Sequence, residues 1–277
     1  MNTKSKTFEV PPATDLNQIS SDAPIFVSED LEGHQVLTLA KFKGIHHIVQ
    51  KPNLEFEKEL ELAHKMEQDP ASFAASPLAT IFGQNENELP ADENFRPKNF
   101  TVTDIRDKNI ILRTLEKHCE FLKVKSTLMD DLRLAADELI TNAIYNAPFV
   151  DGDKVLTGPS RKHQDVNIDP QKQPSFFWQA DEQRIVIGCK DHYGNLRISH
   201  MLNRICLCYQ DGPSQHVNYG AGGAGIGAFL VFRSCASFYV AVQRGVYTVV
   251  CCSFPYRMSG NKREALPKNI HWFEHET

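Results

Sequence analysis

Residues 126–147, with the sequence STLMDDLRLAADELITNAIYNA, predict a long amphipathic helix that the following Pro148 ends. At 100° per residue, one broad apolar face of this helix is expected to pack on a sheet. Beside that face, Glu138, Asn142 and Asn146 fall within an arc of about 80°. A carboxylate one turn from an amide carbonyl can hold a water or hydroxyl next to a hard cation such as Mg²⁺. Taken alone, the strip also fits an ordinary solvated helix edge.

Further along the chain, residues 185–196 read IVIGCKDHYGNL, an apolar strand that ends on Asp191 and a turn containing Gly194. A carboxylate at a buried strand end can accept a hydrogen bond from the exocyclic amine of adenine. A glycine there lets the base approach the backbone closely. Asp and Gly are also the usual residues of a plain hairpin turn, so both interpretations stay open for this segment alone.

Residues 220–227, GAGGAGIG, form a glycine-dense segment that leads into an apolar helix. Closely spaced backbone amides at a helix N-terminus make an anion site that suits phosphates. The segment is not a P-loop, because the Gly-Lys-Ser/Thr ending is missing. It also does not follow the first strand of a β-α-β unit, as a dinucleotide-binding fold requires.

The order and spacing of these three segments resemble the GHKL ATPase family. A Glu-x-x-x-Asn helix is followed about 50 residues later by Asp-x-x-Gly at a strand end, and about 30 residues further by a glycine loop that opens a helix. The family includes gyrase-type ATPases, Hsp90, histidine-kinase catalytic domains and anti-sigma-factor serine kinases. The resemblance covers residues 105–254 and implies that ATP and Mg²⁺ bind there.

The resemblance also implies a role for each site residue. Glu138 would be the catalytic base, Asn142 the Mg²⁺ ligand and a nucleotide contact, and Asn146 a further nucleotide contact. Asp191 would bind adenine, with Gly194 beside it. The glycines expected to line the phosphates are Gly222, Gly223, Gly225 and Gly227.

Residues 198–220 would be the ATP lid, with Arg197, Arg204 or His216 as phosphate contacts. The chain departs from the family in the adenine turn, which reads Asp-His-Tyr-Gly-Asn in place of Asp-x-Gly-x-Gly. This departure predicts a looser base pocket or a preference for a different purine.

The sequence predicts an α/β fold: an α+β two-layer sandwich with a mixed, mainly antiparallel sheet covered on one face by helices, the Bergerat fold of this family. Strands are expected at residues 100–105, 175–180, 184–191, 237–243 and 247–254. Helices are expected at residues 107–122, 126–147, 199–209 and 225–235.

The chain is expected to divide into five parts: a flexible tail (1–22), a partial receiver-like segment (23–68), a linker (69–99), the ATP-binding domain (100–255) and a polar C-terminal tail (256–277). The second part resembles the second half of a receiver domain because Lys51-Pro52 follows its last strand. No upstream strand is expected to supply the acidic residues of a receiver site, and a chance Lys-Pro pair is the alternative. Within the linker, residues 78–82 (LATIF) are expected to dock as an apolar anchor.

The composition is typical of a globular protein: 277 residues, 41% hydrophobic and 23% charged. A net charge of −5 provides no broad cationic surface, which argues against nucleic acid as a partner. No apolar stretch approaches the roughly 20 residues that span a bilayer, and the N-terminus lacks a signal-peptide core, so a cytoplasmic protein without membrane contact is expected. The seven cysteines have no C-x-x-C spacing and are expected to be buried thiols.

Within the family, the chain resembles the compact bacterial signalling branch. Neither His64 nor His118 has the acidic neighbour of a phospho-acceptor histidine, and only about 20 residues follow the last predicted strand. The expected function is an ATP- and Mg²⁺-binding signalling protein that acts on a protein partner as a Ser/Thr kinase or an ATP-dependent switch. The alternatives are a non-catalytic nucleotide-binding interaction module, a histidine-kinase catalytic domain without its own acceptor helix, and a domain that binds no nucleotide. The sequence does not identify the protein partner, and it leaves open whether the chain forms a homodimer.

Overall fold

The computed structural model describes residues 7–9, 23–29, 31–41, 45–53, 55–84, 89–148, 168–212 and 227–275. Their strands, in chain order, are β1 (Thr7–Glu9), β2 (Ile25–Ser28), β3 (His47–Gln50), β4 (Lys98–Thr101), β5 (Ser175–Ala180), β6 (Arg184–Asp191), β7 (Ser237–Gln243), β8 (Tyr247–Pro255) and β9 (Asn269–His275). They form one mixed sheet in the order β1-β2-β3-β9-β7-β8-β6-β5-β4. Strands β1 to β3 are parallel to each other, β9 is antiparallel to β3 and parallel to β7, and the other pairs are antiparallel.

The helices, in chain order, are α1 (Gly33–Ala40), α2 (Phe56–Gln68), α3 (Pro70–Ala75), α4 (Pro77–Phe82), α5 (Asp107–Phe121), α6 (Ser126–Tyr145), α7 (Ile198–Asp211), α8 (Gly227–Ser234) and α9 (Gly260–Glu264). The main core lies between one face of the sheet and helices α1, α5, α6, α7 and α8. A second core lies on the opposite face, under α2, α3 and α4. Side chains alternate along β5, so Phe176 and Trp178 enter the first core while Phe177 enters the second.

The predicted α/β class with a mixed, mainly antiparallel sheet is confirmed. The prediction of two layers with one covered face is wrong, because helices cover both faces. Leu62, Met66 and Phe73 on α2 and α3 are buried against the sheet, which removes their apolar surface from water. The result is a three-layer arrangement, with the helices of the predicted ATP-binding region in one outer layer.

The predicted polar tail at residues 256–277 instead contains a central strand. Strand β9 lies between β3 and β7, and Ile270 and His271 on it are fully buried. The sequence NIHWFEH looks polar because it contains two histidines, an asparagine and a glutamate. A local sequence pattern does not reveal that β9 is central, because the burial of its polar side chains depends on hydrogen-bond partners from distant strands.

The described residues of the N-terminal third also contain more secondary structure than predicted. Residues 7–9, expected in a flexible tail, form β1, and the expected linker contains α3, α4 and the start of β4. The prediction that residues 78–82 dock as an apolar anchor is confirmed, since Leu78 and Ile81 are buried in the second core.

Lys51 has upstream acidic neighbours after all, contrary to the prediction. Because β1 runs parallel to β2, the side chain of Glu9 reaches Lys51 Nζ at 3.7 Å, and Glu29 reaches it at 3.5 Å. These side chains are solvent-accessible, and ion pairs of that kind contribute little to stability.

All seven cysteines are buried free thiols, as expected. In the described part of the chain, no helix combines the length and the apolar character that crossing a bilayer requires.

Candidate functional site

The polar strip of α6 is present as the helical spacing predicts. Asn142 Nδ2 donates a hydrogen bond of 2.9 Å to Glu138 Oε1, and Asn146 Nδ2 donates one of 2.5 Å to Asn142 Oδ1. The three side chains therefore form a chain of hydrogen bonds along one edge of the helix. This arrangement orients the Glu138 carboxylate and leaves Asn142 Oδ1 one further lone pair.

Gly227, the first residue of α8, lies directly against Glu138. A Cβ atom on this glycine would overlap the carboxylate of Glu138, so a larger residue here requires the end of the Glu138 side chain to move. Helices α6 and α8 pack against the same face of the sheet. The end of the predicted phosphate loop therefore meets the predicted catalytic base, two parts of the sequence 89 positions apart.

The other predicted phosphate-binding glycines, Gly222, Gly223 and Gly225, lie outside the described residues. His216, a predicted lid contact, lies outside them too. Residues 198–211 of the predicted lid form α7, and its apolar side chains are part of the main core. Arg197 and Arg204 have exposed side chains.

Asp191 lies at the end of β6, where the predicted adenine contact was placed. Its carboxylate is buried and accepts hydrogen bonds from the backbone N–H groups of Tyr193 (2.9 Å) and Gly194 (3.3 Å). Burial raises the pKa of the Asp191 carboxyl, and the two backbone hydrogen bonds counteract part of that rise. Gly194 has a φ of +64°, a left-handed conformation that favours glycine.

Thr248 is a site residue that the sequence analysis missed. It lies directly opposite Asp191 on β8 and is buried. Its hydroxyl makes no well-formed hydrogen bond to the described residues, although it lies near enough to Asp191 to lower the pKa of that carboxyl. The only signal in the sequence is a hydroxyl residue at the start of the apolar run TVVCC. A buried hydroxyl next to a carboxylate can bind a polar ligand.

Asn195 connects the two halves of the site. Its Nδ2 donates a hydrogen bond of 2.8 Å to the carbonyl oxygen of Ala147, just beyond the C-terminus of α6. The turn that carries Asp191 and Gly194 therefore lies next to the end of the helix that carries Asn142 and Asn146. Asp191, the predicted adenine contact, and Asn142, the predicted metal contact, therefore border the same region of the molecule.

The residues present fit Mg²⁺ that arrives with a nucleotide. Over the described ranges, no three or more His, Cys, Asp or Glu side chains come together in a group able to hold a metal ion. Mg²⁺ commonly keeps several waters and is held by one or two protein oxygens together with substrate phosphates. Asn142 Oδ1 can supply such an oxygen.

Comparison with protein-family models gives no match, and comparison with curated proteins gives none either. The functional interpretation of the site therefore depends on the residues and on their geometry.

Proposed function

We propose that this protein binds ATP with Mg²⁺ between α6, the turn after β6 and the N-terminus of α8. The observation that carries the proposal is the contact between Gly227 and Glu138, since it joins the glycine segment to the helix of carboxylate and amides. The Asn195 hydrogen bond to Ala147 supports the proposal by bringing the Asp191 turn to the same helix.

In this proposal each group has a defined task. Asp191 accepts a hydrogen bond from the exocyclic amine of adenine, and the Thr248 hydroxyl completes the polar lining beside it. The backbone amides of residues 220–227 bind the phosphates. Asn142 would hold Mg²⁺, which when bound offsets the negative charge of the phosphates.

Glu138 then acts as the general base. It accepts the proton of a water molecule, or of a Ser/Thr hydroxyl on a protein partner, while that oxygen attacks the γ-phosphate and ADP leaves. The hydrogen bond from Asn142 holds the carboxylate in one orientation for this step. We propose a protein kinase or nucleotide-dependent switch in signalling, with a non-catalytic nucleotide-binding module as the competing function.

Thermal unfolding with Mg-ATP, with Mg-GTP and with ATP in the absence of metal tests the binding proposal. Ligand at 100 times its dissociation constant stabilises the fold by about 2.7 kcal/mol, which corresponds to a Tm increase of roughly 5–10 °C for a protein of this size. No increase with Mg-ATP at millimolar concentration contradicts nucleotide binding.

The same preparation separates an enzyme from a binding module through the Glu138→Ala variant. We expect this variant to lose ATP hydrolysis and phosphotransfer to a partner while its ATP affinity stays within about threefold of the original. The control is Glu120→Ala, because Glu120 is an exposed residue on α5. A Glu138→Ala protein that retains full turnover contradicts the role of catalytic base.

A further inference from the structure

The turn between β6 and α7 rests on the hairpin turn between β7 and β8. A Cβ atom on Gly194 would lie 2.8 Å from the backbone nitrogens of Gly245 and Val246, and closer still to the carbonyl oxygen of Gln243. No larger residue fits there without moving one turn away from the other. The position of the Asp191 turn therefore depends on the position of the β7–β8 hairpin turn.

An ion pair joins this hairpin turn to the start of α7. The Arg244 guanidinium pairs with Glu274 Oε1 at the end of β9, and the Arg244 backbone N–H donates to the His275 carbonyl oxygen at 3.0 Å. Glu274 Oε2 accepts a hydrogen bond of 3.3 Å from the backbone N–H of Ile198. Both side chains of the pair are about one fifth exposed, at 23% and 22%.

Glu274 supplies a cap that α7 lacks in its own sequence. Arg197 occupies the N-cap position and makes no side-chain capping hydrogen bond. A carboxylate at a helix N-terminus satisfies a free N–H group and interacts favourably with the helix dipole. The first residue of α7 is thus held by a side chain 76 positions later in the chain.

We infer that Arg244 and Glu274 are positioning residues for the turn that carries Asp191 and Gly194, an inference that rests on the proposed function. The segment 191–198 is held at four points: Asp191 in the sheet, Gly194 on the hairpin turn, Asn195 on α6 and Ile198 on Glu274. The ion pair controls two of these points, because it joins the hairpin turn to the start of α7. Its role is to keep the Asp191 carboxylate aligned with the exocyclic amine of a bound purine.

The test measures nucleotide affinity by calorimetry in Glu274→Ala, Arg244→Gln and the double variant, with Mg-ATP and Mg-GTP as probes. We expect Mg-ATP to bind about tenfold more weakly to Glu274→Ala, since a charge-assisted hydrogen bond is removed. The double variant should bind no more weakly than Glu274→Ala, because the two residues act through one contact. Glu274→Gln should bind Mg-ATP with an affinity between those of the original protein and Glu274→Ala, because its single amide oxygen can accept from Ile198 or from Arg244 but not from both.

Selectivity distinguishes positioning from general destabilisation. Misalignment of Asp191 should reduce the preference between ATP and GTP, because that carboxylate senses the exocyclic group of the base. A loss of fold stability leaves this ratio unchanged. The matched control is Glu93→Ala, which breaks the exposed ion pair with Arg96 elsewhere on the surface and should change neither affinity nor selectivity.

Two outcomes overturn the inference in distinguishable ways. If the unaltered protein binds neither nucleotide, the proposed function fails and the inference fails with it. If the unaltered protein binds Mg-ATP while Glu274→Ala and Arg244→Gln bind it with the same affinity and selectivity, only the positioning role fails.

Discussion

At the scale of single residues, Glu138 is the side chain on which the proposed site depends most. It accepts a hydrogen bond from Asn142 along α6 and lies against Gly227 of α8. The first relation follows from the four-residue spacing of a helix and was predictable from the sequence. The second is a contact between two helices, which no local pattern encodes.

Gly227→Ala tests the close approach of the two helices. We expect the added methyl group to displace the Glu138 carboxylate and to lower the free energy of unfolding by about 0.5–1.5 kcal/mol, because the half-buried side chain must leave its preferred rotamer. Denaturant unfolding measures this change. Gly260→Ala is the matched control, because among the described residues a Cβ there meets no atom within 4 Å.

A second variant keeps the Gly227 prediction specific. In the Glu138→Ala/Gly227→Ala double variant the carboxylate no longer occupies the space of the new methyl group, so most of the lost stability should return. Equal unfolding free energies for Gly227→Ala and Gly260→Ala disagree with the close contact.

At the scale of elements, α8 is held at both ends. Its N-terminus meets Glu138, and at its C-terminus Lys268 Nζ donates to the carbonyl oxygens of Arg233 (2.8 Å) and Cys235 (2.6 Å). Lys268 itself is buried and lies just before β9. The helix was predicted from its apolar pattern, whereas its C-terminal donor comes from a segment predicted as a tail.

Lys268→Met tests this capping contact. We expect the variant to lose about 1–3 kcal/mol of unfolding free energy, because the buried carbonyl of Cys235 and the partly buried carbonyl of Arg233 lose a charged donor. Chemical denaturation provides the measurement, with Lys262→Met on the exposed surface of α9 as the control. The contact has no energetic role if both variants unfold at the same denaturant concentration.

At the scale of the whole molecule, a buried polar network joins α2 to the centre of the sheet. His47 Nδ1 lies 3.1 Å from His271 Nδ1, and Glu67 accepts from the rings of His46 (2.6 Å) and His47 (3.1 Å). On the far side of His271, Glu59 lies 3.1 Å from the ring. Further contacts of Glu59 come from Ser237, Tyr239 and Arg184.

This network predicts a loss of stability in mild acid. Burial lowers the pKa of His47 to about 4, which outweighs the effect of the hydrogen bond to Glu67. A histidine whose pKa falls on folding contributes stability that is fully present above its ordinary value of 6.5 and is lost as the pH falls towards 4. The loss over this range amounts to about 3 kcal/mol.

Unfolding by denaturant between pH 7 and pH 4 measures the effect. His47→Gln should flatten this dependence, since glutamine does not titrate, while His34→Gln at an exposed position should not. A pH dependence that is the same with and without His47 contradicts the assignment of this loss to His47.

Glu67 contributes to stability in a separate, lower pH range. Burial raises its pKa, but hydrogen bonds from His46 and His47 outweigh this and hold the pKa at about 2, so its contribution is lost only as the pH falls from 4.5 to about 2.

The sequence by itself determined the α/β class, the bounds of β5, β6 and β7 and the polar strip of α6. These features depend on local periodicity and turn residues, which act over a few positions of the chain. The same local patterns predicted tails at both ends, where the chain forms β1 and β9.

Only the tertiary structure decided the place of β9 in the sheet, the covering of its second face and the meeting of Gly227 with Glu138. It also decided the capping of α7 by Glu274 and the position of Thr248 beside Asp191. Each of these joins residues that lie tens to hundreds of positions apart, as in the hydrogen bond between Gln50 and Asn269, 219 positions away. Such contacts form because buried polar groups require partners and apolar faces require cover, wherever in the chain these are found.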